Sequence, residues 1–305
     1  MSEILTHLRR TMSNFLTMEG MEYLPLLNAM HECMEAEETA FLLLDPITNR
    51  PVRVRDEEGG VLIPVFLSIS SASGFPAERN GKRHGTAIVR VNDLPQFLRK
   101  QEGVDGLIFE PETVGFVAVP ALVEDAAKVE VFSHIVLVTG DILEAAAGVM
   151  VCPTDAQLSG KGEVEEALRT LTHGADVGDE LPEDMQIGDI VGTELSELPD
   201  VDLDYDQILY SVSPDAANAS RLGVCYGTAL ECAQQIGARS VVFPCIGTGR
   251  NGIDPKAAVP VSTNAVLRWM KNHPDYVMDV YFCCHDEERR RLYQGYFDSL
   301  NVDGE

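Results

Sequence analysis

From residue 134 to its end, the chain alternates apolar runs of strand length with segments of helical period, and this alternation narrows the possible folds more than any other feature. HIVLVTG (134–140), GVMVCP (148–153), DIVGTEL (189–195), DQILYSVSP (206–214), SVVFPCIG (240–247) and YVMDVYFCC (276–284) read as strands. Helices are expected over about 162–173, 219–237, 255–272 and 286–299. The first of these puts Val164, Leu168 and Leu171 on its apolar side. Gly237 suits the end of the second, and Pro255 the first turn of the third. SVVFPCIG is apolar throughout, as a strand covered on both faces must be. Strands and helices in this order imply an α/β sandwich with a mainly parallel or mixed sheet.

The first 130 residues follow another pattern. Residues 23–40 place Leu26, Leu27, Met30, Cys33 and Met34 on one helical face. Short apolar runs follow at 41–45, 61–68, 86–91, 106–110 and 114–119. A helix, DLPQFLRKQ, is expected between the third and fourth of them with Asp93 as its N-cap, and RDEEGG (55–60) supplies a turn. This is an α+β unit without a cluster of catalytic residue types. The pattern changes at AAKVE (126–130), so two domains are expected, 1–130 and 131–305, a division that suits a chain of 305 residues.

The net charge is −26, and the two halves carry −8 and −18. A field of that sign repels nucleic-acid phosphates and anionic lipid surfaces, so neither nucleic acid nor membrane is expected as a partner. It also opposes an anionic small ligand, and a phosphate site here must work by local geometry. Residues 176–206 hold 12 acidic side chains and no Lys, Arg or His. They form either a solvated loop region or a docking surface for a basic partner. The seven cysteines, Cys33, Cys152, Cys225, Cys232, Cys245, Cys283 and Cys284, form no CxxC and no zinc-spaced set with histidine. Reduced thiols, no metal and no cofactor are expected. The first residues lack the apolar core of a secretory signal, and no run approaches the roughly 18 apolar residues of a membrane span. A cytoplasmic protein is expected.

Two glycine-bearing loops leave apolar strands and enter helices: CPTDAQLSGKGEVEEAL (152–168) and CIGTGRNGIDP (245–255). In open α/β sheets ligands gather at the carboxyl ends of the strands. Glycine lets backbone N–H groups approach a phosphate, and a helix N-terminus beside them favours an anion without side-chain charge. Neither loop is a Walker A, and no GxGxxG follows an N-terminal strand. Asp141, in GDIL (140–143), can be an N-cap or a ligand contact. Cys152 and Cys245 read as strand thiols, His285 as a helix-start surface residue, and Trp269 as core or interface.

With GDIL, these segments resemble the macrodomain family over about 165 residues and in the family's order. GDIL resembles Gly-Asp-Ile-Thr. The 152–168 loop resembles Val-Asn-Ala-Ala-Asn followed by Gly-Gly-Gly-Val. GDIVGTEL and ILYSVSP resemble the two strands that follow. VVFPCIGTGRNGIDP resembles Ile-Ala-Phe-Pro-x-Ile-Ser-Thr-Gly-x-Tyr-Gly-x-Pro. The resemblance implies a three-layer α/β/α sandwich with a mixed sheet, preceded by the smaller α+β domain, and a partner that is ADP-ribose or ADP-ribosylated protein. It implies that Asp141 accepts a hydrogen bond from the adenine amino group, helped by the Ile142 N–H. Gly160, Lys161, Gly162 and Val164 would line the pyrophosphate, with Gly247, Thr248, Gly249, Arg250, Asn251 and Gly252 opposite. Arg250 can pair with a ligand phosphate or be a solvated loop residue.

Three positions depart from the family pattern: Asp155 stands for asparagine, Glu163 for a small residue, and Asn251 for an aromatic ring. A carboxylate near the distal ribose can act as general base or nucleophile, which makes Asp155, with Lys161, the candidate catalytic pair of an ADP-ribosyl hydrolase or O-acetyl-ADP-ribose deacetylase. Asp155 can equally be a neutral change in a protein that binds without turnover. The three departures also suit a degenerate macrodomain serving as a structural or protein-interaction module. Residues 20–125 resemble the N-terminal domain of the SseB family, which implies a recognition or assembly module and a protein partner.

Overall fold

The structure, a computed structural model, describes residues 1–76, 78–79, 82–129, 133–172, 185–198 and 201–302. The chain forms two compact units, residues 1–16 with 22–131 and residues 17–21 with 132–305. Glu130, His173 and much of the acidic stretch (176–184 and 199–200) lie outside the described residues.

The first unit begins with α1 (Glu3–Thr17) and α2 (Tyr23–Glu35), followed by β1 (Thr39–Leu44), β2 (Val54–Arg55) and β3 (Val61–Phe66). Next come α3 (Ile69–Gly74), β4 (Glu78–Arg79), β5 (Lys82–Arg83), β6 (Gly85–Arg90) and α4 (Leu94–Arg99). The unit ends with β7 (Gly106–Phe109), β8 (Phe116–Ala118) and α5 (Pro120–Ala126). Its main sheet runs β6-β1-β3-β7-β8 and is antiparallel except where β3 meets β7. One core gathers Leu8 and Met12 of α1, Leu26 and Met30 of α2, and Leu98 of α4 against Ile63, Val65, Leu107 and Phe109.

The helix predicted over 23–40 stops at Glu35. Glu38 N–H bonds to Cys33 O and Glu37 N–H to Met34 O, with Glu37 at φ +52°, so a Schellman ending forms without the usual glycine. Asp93 makes no side-chain cap; it closes a 3-10 turn ahead of α4. Helix α1, with Leu5, Leu8 and Met12 buried, was not anticipated.

The second unit contains β9 (His134–Thr139), β10 (Val149–Thr154), α6 (Glu163–Leu171), β11 (Ile190–Glu194) and β12 (Gln207–Val212). They are followed by α7 (Leu222–Gln235), β13 (Ser240–Pro244), α8 (Pro255–Asn272), β14 (Asp279–Cys284) and α9 (Glu287–Val302). The sheet order is β11-β12-β10-β13-β14-β9, parallel throughout except for β11 at one edge. Side chains alternate between two cores. Val149, Val151, Phe243, Val280 and Phe282 face Tyr226, Val266 and Tyr293 of α7, α8 and α9. Met150, Cys152, Val242, Tyr281 and Cys283 face Leu168 of α6, Met18 and Tyr205. The unit is an α/β/α sandwich on a mixed sheet, and its strands are apolar on both faces because both are covered. On α6 the buried line is Glu165 and Leu168, continued by Thr172, while Leu171 is exposed, so the apolar side lies one position away from Val164–Leu168–Leu171. Helix α7 starts at Leu222, behind a 3-10 turn, rather than at 219, and β14 starts at Asp279 rather than at 276. Among the described residues no helix is long and apolar enough to cross a membrane.

Strand β10 pairs with β12 from Val149↔Gln207 to Thr154↔Val212, but with β13 only at Val149↔Val241 and Met150↔Val242. Past Met150 the two central strands part. The Tyr226 hydroxyl, buried at 1% exposure, then serves the end of β13: it donates to Pro244 O at 3.4 Å and accepts from Ile246 N–H at 3.3 Å. Ile246 N–H also donates to Pro244 O at 2.8 Å, so Tyr226→Phe removes one of its two acceptors and one donor to Pro244 O, and should cost about 0.5–1.5 kcal/mol. The urea midpoint of the C-terminal unit measures it, and an unchanged midpoint would show that the Ile246 N–H to Pro244 O bond alone closes the strand end.

Candidate functional site

The chain leaves β10 toward β12 on one side and leaves β13 toward β14 on the other, so the strand order reverses where β10 and β13 part. The crevice outside the carboxyl ends of two such strands is where doubly wound sheets bind ligands. The loops after β10 and β13 flank it.

In the first loop Asp155 organises the backbone. Its Oδ1 accepts from Gln157 N–H and Ser159 N–H, each at 3.0 Å, and its Oδ2 accepts from the Ser159 hydroxyl. Burial opposes the charge of Asp155, but the Ser159 and Gln157 hydrogen bonds and the nearby Lys161 outweigh it and hold the carboxyl below the usual aspartate value. Leu158, at φ +46°, and Gly160, at φ +71°, turn the chain sharply. A Cβ at Gly160 would lie 2.6 Å from Arg169 Nε, so the guanidinium covers that glycine. Helix α6 then starts at Gly162 with no capping side chain. Its positive end is open, apart from its own Glu163, Glu165 and Glu166 in the first turn. Glu165 is 4% exposed and accepts from the Thr154 hydroxyl at 2.9 Å, which fastens α6 to the end of β10. Val164 is half-buried beside it.

The second loop is built around Gly247, whose φ of +77° and contact with Ile253 exclude a side chain: a Cβ there would meet Ile253 Cδ1 at 2.6 Å. Thr248 Oγ1 donates to Cys245 O at 2.8 Å, and Gly252, at φ +71°, closes a turn onto Gly249 O. Asn251 ties this loop to the chain leaving β12: its Nδ2 donates to Pro214 O at 2.9 Å and its backbone carbonyl accepts from Ala216 N–H. Helix α8 is capped by Asp254, so its amino end is already satisfied. Arg250 crosses to the first loop, donating to Lys161 O and pairing with Glu166 at 2.6 Å. A Cβ at Gly249 would lie 3.6 Å from Glu163 Oε2, so that carboxylate rests against the glycine.

Asp141 and Ile142 stand at the end of β9, with β14 between them and β13. Asp141 is exposed, and its Oδ1 caps a 3-10 turn by accepting from Leu143 N–H at 2.9 Å. The Tyr205 hydroxyl donates to Ile142 O and anchors the turn. Gly140 N–H bonds to Cys284 O at 3.1 Å, linking this turn to β14. Burial first, then Cys245 and Asp141, push the Cys283 thiol up to about 12. The structure therefore brings the two glycine loops into direct contact and sets Asp141 farther along the same edge. Among the described residues no group of three His, Cys, Asp or Glu side chains is placed to hold a metal.

Glu165, Glu166, Arg169, Ser159 and Tyr205 were not singled out from the sequence. Glu166 and Arg169 look like the solvated face of α6, and only the fold shows one reaching Arg250 and the other Gly160. Glu165 could have been found by taking the buried line of α6 one residue later. Cys152 is buried, Trp269 is 4% exposed and stacks on His273, and His285 is an exposed residue paired with Asp286.

Because its folded pKa lies below its unfolded one, Asp155 contributes stability above about pH 4, and the contribution fades as pH falls through the folded pKa. Ser159→Ala removes the hydroxyl donor and should move the Asp155 titration upward in carbon-detected carboxylate NMR. An unmoved titration would mean that the serine does not hold the carboxylate in solution.

The sequence profile described as Macro domain matches residues 151–262. A macro domain-containing protein of Listeria monocytogenes is 31% identical over 173 residues, covering 54% of this chain and 98% of that protein. An O-acetyl-ADP-ribose deacetylase of Citrobacter koseri is 30% identical over 167 residues, covering 51% of this chain and 90% of that protein. Among solved structures, a variant of the Oceanobacillus iheyensis macrodomain superposes with a TM-score of 0.50 at 22% identity, over 56% of this chain and 94% of that one, a likeness of fold. With nearly the whole length of such relatives matched, the chain belongs to the macrodomain family.

Proposed function

We propose that the C-terminal unit binds ADP-ribose, free or attached to protein, in the crevice between the loops that follow β10 and β13. One observation carries the proposal. Where the strand order reverses, a glycine loop delivers the chain onto the uncapped amino end of α6, an anion site that needs no positive net charge. Gly160, Lys161 and Gly162 would line one side of the pyrophosphate, and Gly247 to Gly249 with Gly252 the other. Asp141 would hold the adenine end, since its cap uses only Oδ1. Asn251 supports the loop through Pro214.

Turnover is the second proposal, favoured by the name of the Citrobacter relative. In it Asp155 acts on an ADP-ribosyl or O-acetyl-ADP-ribose ester, with Lys161 as its counter-charge. The hydrogen bonds to Asp155 speak for the first proposal, because a carboxylate held well ionised is a weak base near neutral pH. For the first unit, the SseB-like pattern supports a recognition or assembly module.

Isothermal titration calorimetry of the whole protein tests binding, with AMP and ADP as controls. Micromolar affinity for ADP-ribose is expected, weakened about tenfold or more by Asp141→Ala. No heat at millimolar ligand would leave the macrodomain as a scaffold. If esters are turned over, Asp155→Ala should abolish the turnover and leave most of the affinity.

A further inference from the structure

The feature of this crevice least explained by ligand binding is that its own acidic side chains already occupy it. Arg250 reaches from the second loop and is held at both ends of its guanidinium, by Lys161 O and by Glu166 at 2.6 Å. Glu163 lies against Gly249, within 3.6–3.8 Å of where a Cβ would stand. Both glutamates belong to the first turn of α6, whose open amino end is the element best suited to an incoming anion.

We infer that Glu163, Glu166 and Arg250 form a charge gate that sets the affinity of the crevice for a pyrophosphate-bearing ligand. The inference rests on the ADP-ribose proposal. In the free protein Glu166 retains the arginine and Glu163 rests against Gly249 beside the open helix end. On binding, Arg250 exchanges the Glu166 carboxylate for a ligand phosphate, and Glu163 withdraws from Gly249. The exchange is possible because the pair is open to solvent, with side-chain exposures of 53% for Arg250 and 61% for Glu166, so the bond that must break is a weak one. Glu163, Glu166 and Arg250 are thus specificity-determining residues. They lower the affinity for any phosphate ligand, and least for one that can recruit the arginine.

The test is calorimetry of the full chain with ADP-ribose for wild type, Glu163→Gln, Glu166→Gln, Arg250→Gln and the Glu166→Gln/Arg250→Gln double variant. Circular dichroism checks each fold; the substitutions are on exposed side chains. Each glutamate variant should bind about two- to five-fold more tightly than wild type. The gain from Glu166→Gln should vanish when Arg250 is also replaced, since the carboxylate then has nothing to retain. Equal affinity in wild type and the glutamate variants would overturn the gate and leave the binding proposal standing. A gain from Glu166→Gln that persists in the double variant would also overturn it, because general charge repulsion would then account for the effect. Binding that appears only in the glutamate variants would support the gate in its strongest form. Absence of binding in every protein would remove the ligand proposal and the gate together.

Discussion

Where β13 loses its hydrogen-bonded neighbour, a tight turn from Ile246 N–H to Pro244 O and the hydroxyl of Tyr226 close the strand end together, and the crevice depends on that closure. A central strand that parts from its neighbour leaves buried N–H and C=O groups without partners, which a folded protein tolerates rarely. Here Ile246 N–H donates to Pro244 O at 2.8 Å and both meet one hydroxyl delivered from α7, while on the other side Thr154 O accepts from Ser213 N–H at the end of β12. The strands stay covered while they diverge: Cys152 and Phe243 have no exposure. The opening is a property of the packed core, and the loops on either side inherit a fixed separation from it.

The same rigidity answers how a chain of net charge −26 could receive a pyrophosphate. Long-range attraction is not available, so whatever favours the anion must act over a few ångströms. A helix end does so through N–H groups in the first turn, and its effect fades beyond that turn. Of the two helices entering from the crevice, α8 is capped by Asp254 and α6 has no capping side chain. The glycine at position 162 is therefore informative beyond its flexibility: a Ser, Thr or Asp there would have closed the one helix end that remains open.

Much of this was legible in the sequence, and the parts that were not share a cause. The strand positions and α8 followed from apolar period and from Pro255, both local signals. The two glycine loops were placed correctly after their strands, because turn chemistry is also local. The end of α2 was missed because Glu37 adopts the left-handed conformation that sequence reasoning assigns to glycine. Glu165 was missed because a carboxylate on an amphipathic helix reads as solvated until a hydroxyl on another element, Thr154, is found beside it. The contact of Arg250 with Lys161 and Glu166 spans more than eighty residues and is set by the parting of β10 and β13. No pattern along the chain encodes that.

Asp155 stands where the family pattern has asparagine, and the loop uses the second acceptor that the carboxylate brings. Asparagine at this position would present one carbonyl and one amide; aspartate presents two acceptors, and the loop uses both, Oδ1 for the N–H groups of Gln157 and Ser159 and Oδ2 for the Ser159 hydroxyl. Each of those bonds stabilises the charged form and so lowers its basicity. The loop is therefore firmest when Asp155 is a poor proton acceptor. A role as base would require the Ser159 hydroxyl to turn away when substrate binds, which would loosen the turn that carries Gly160 and Lys161. A firm loop and proton abstraction thus make opposing demands on one carboxylate, and in this structure the hydrogen bonds meet the first.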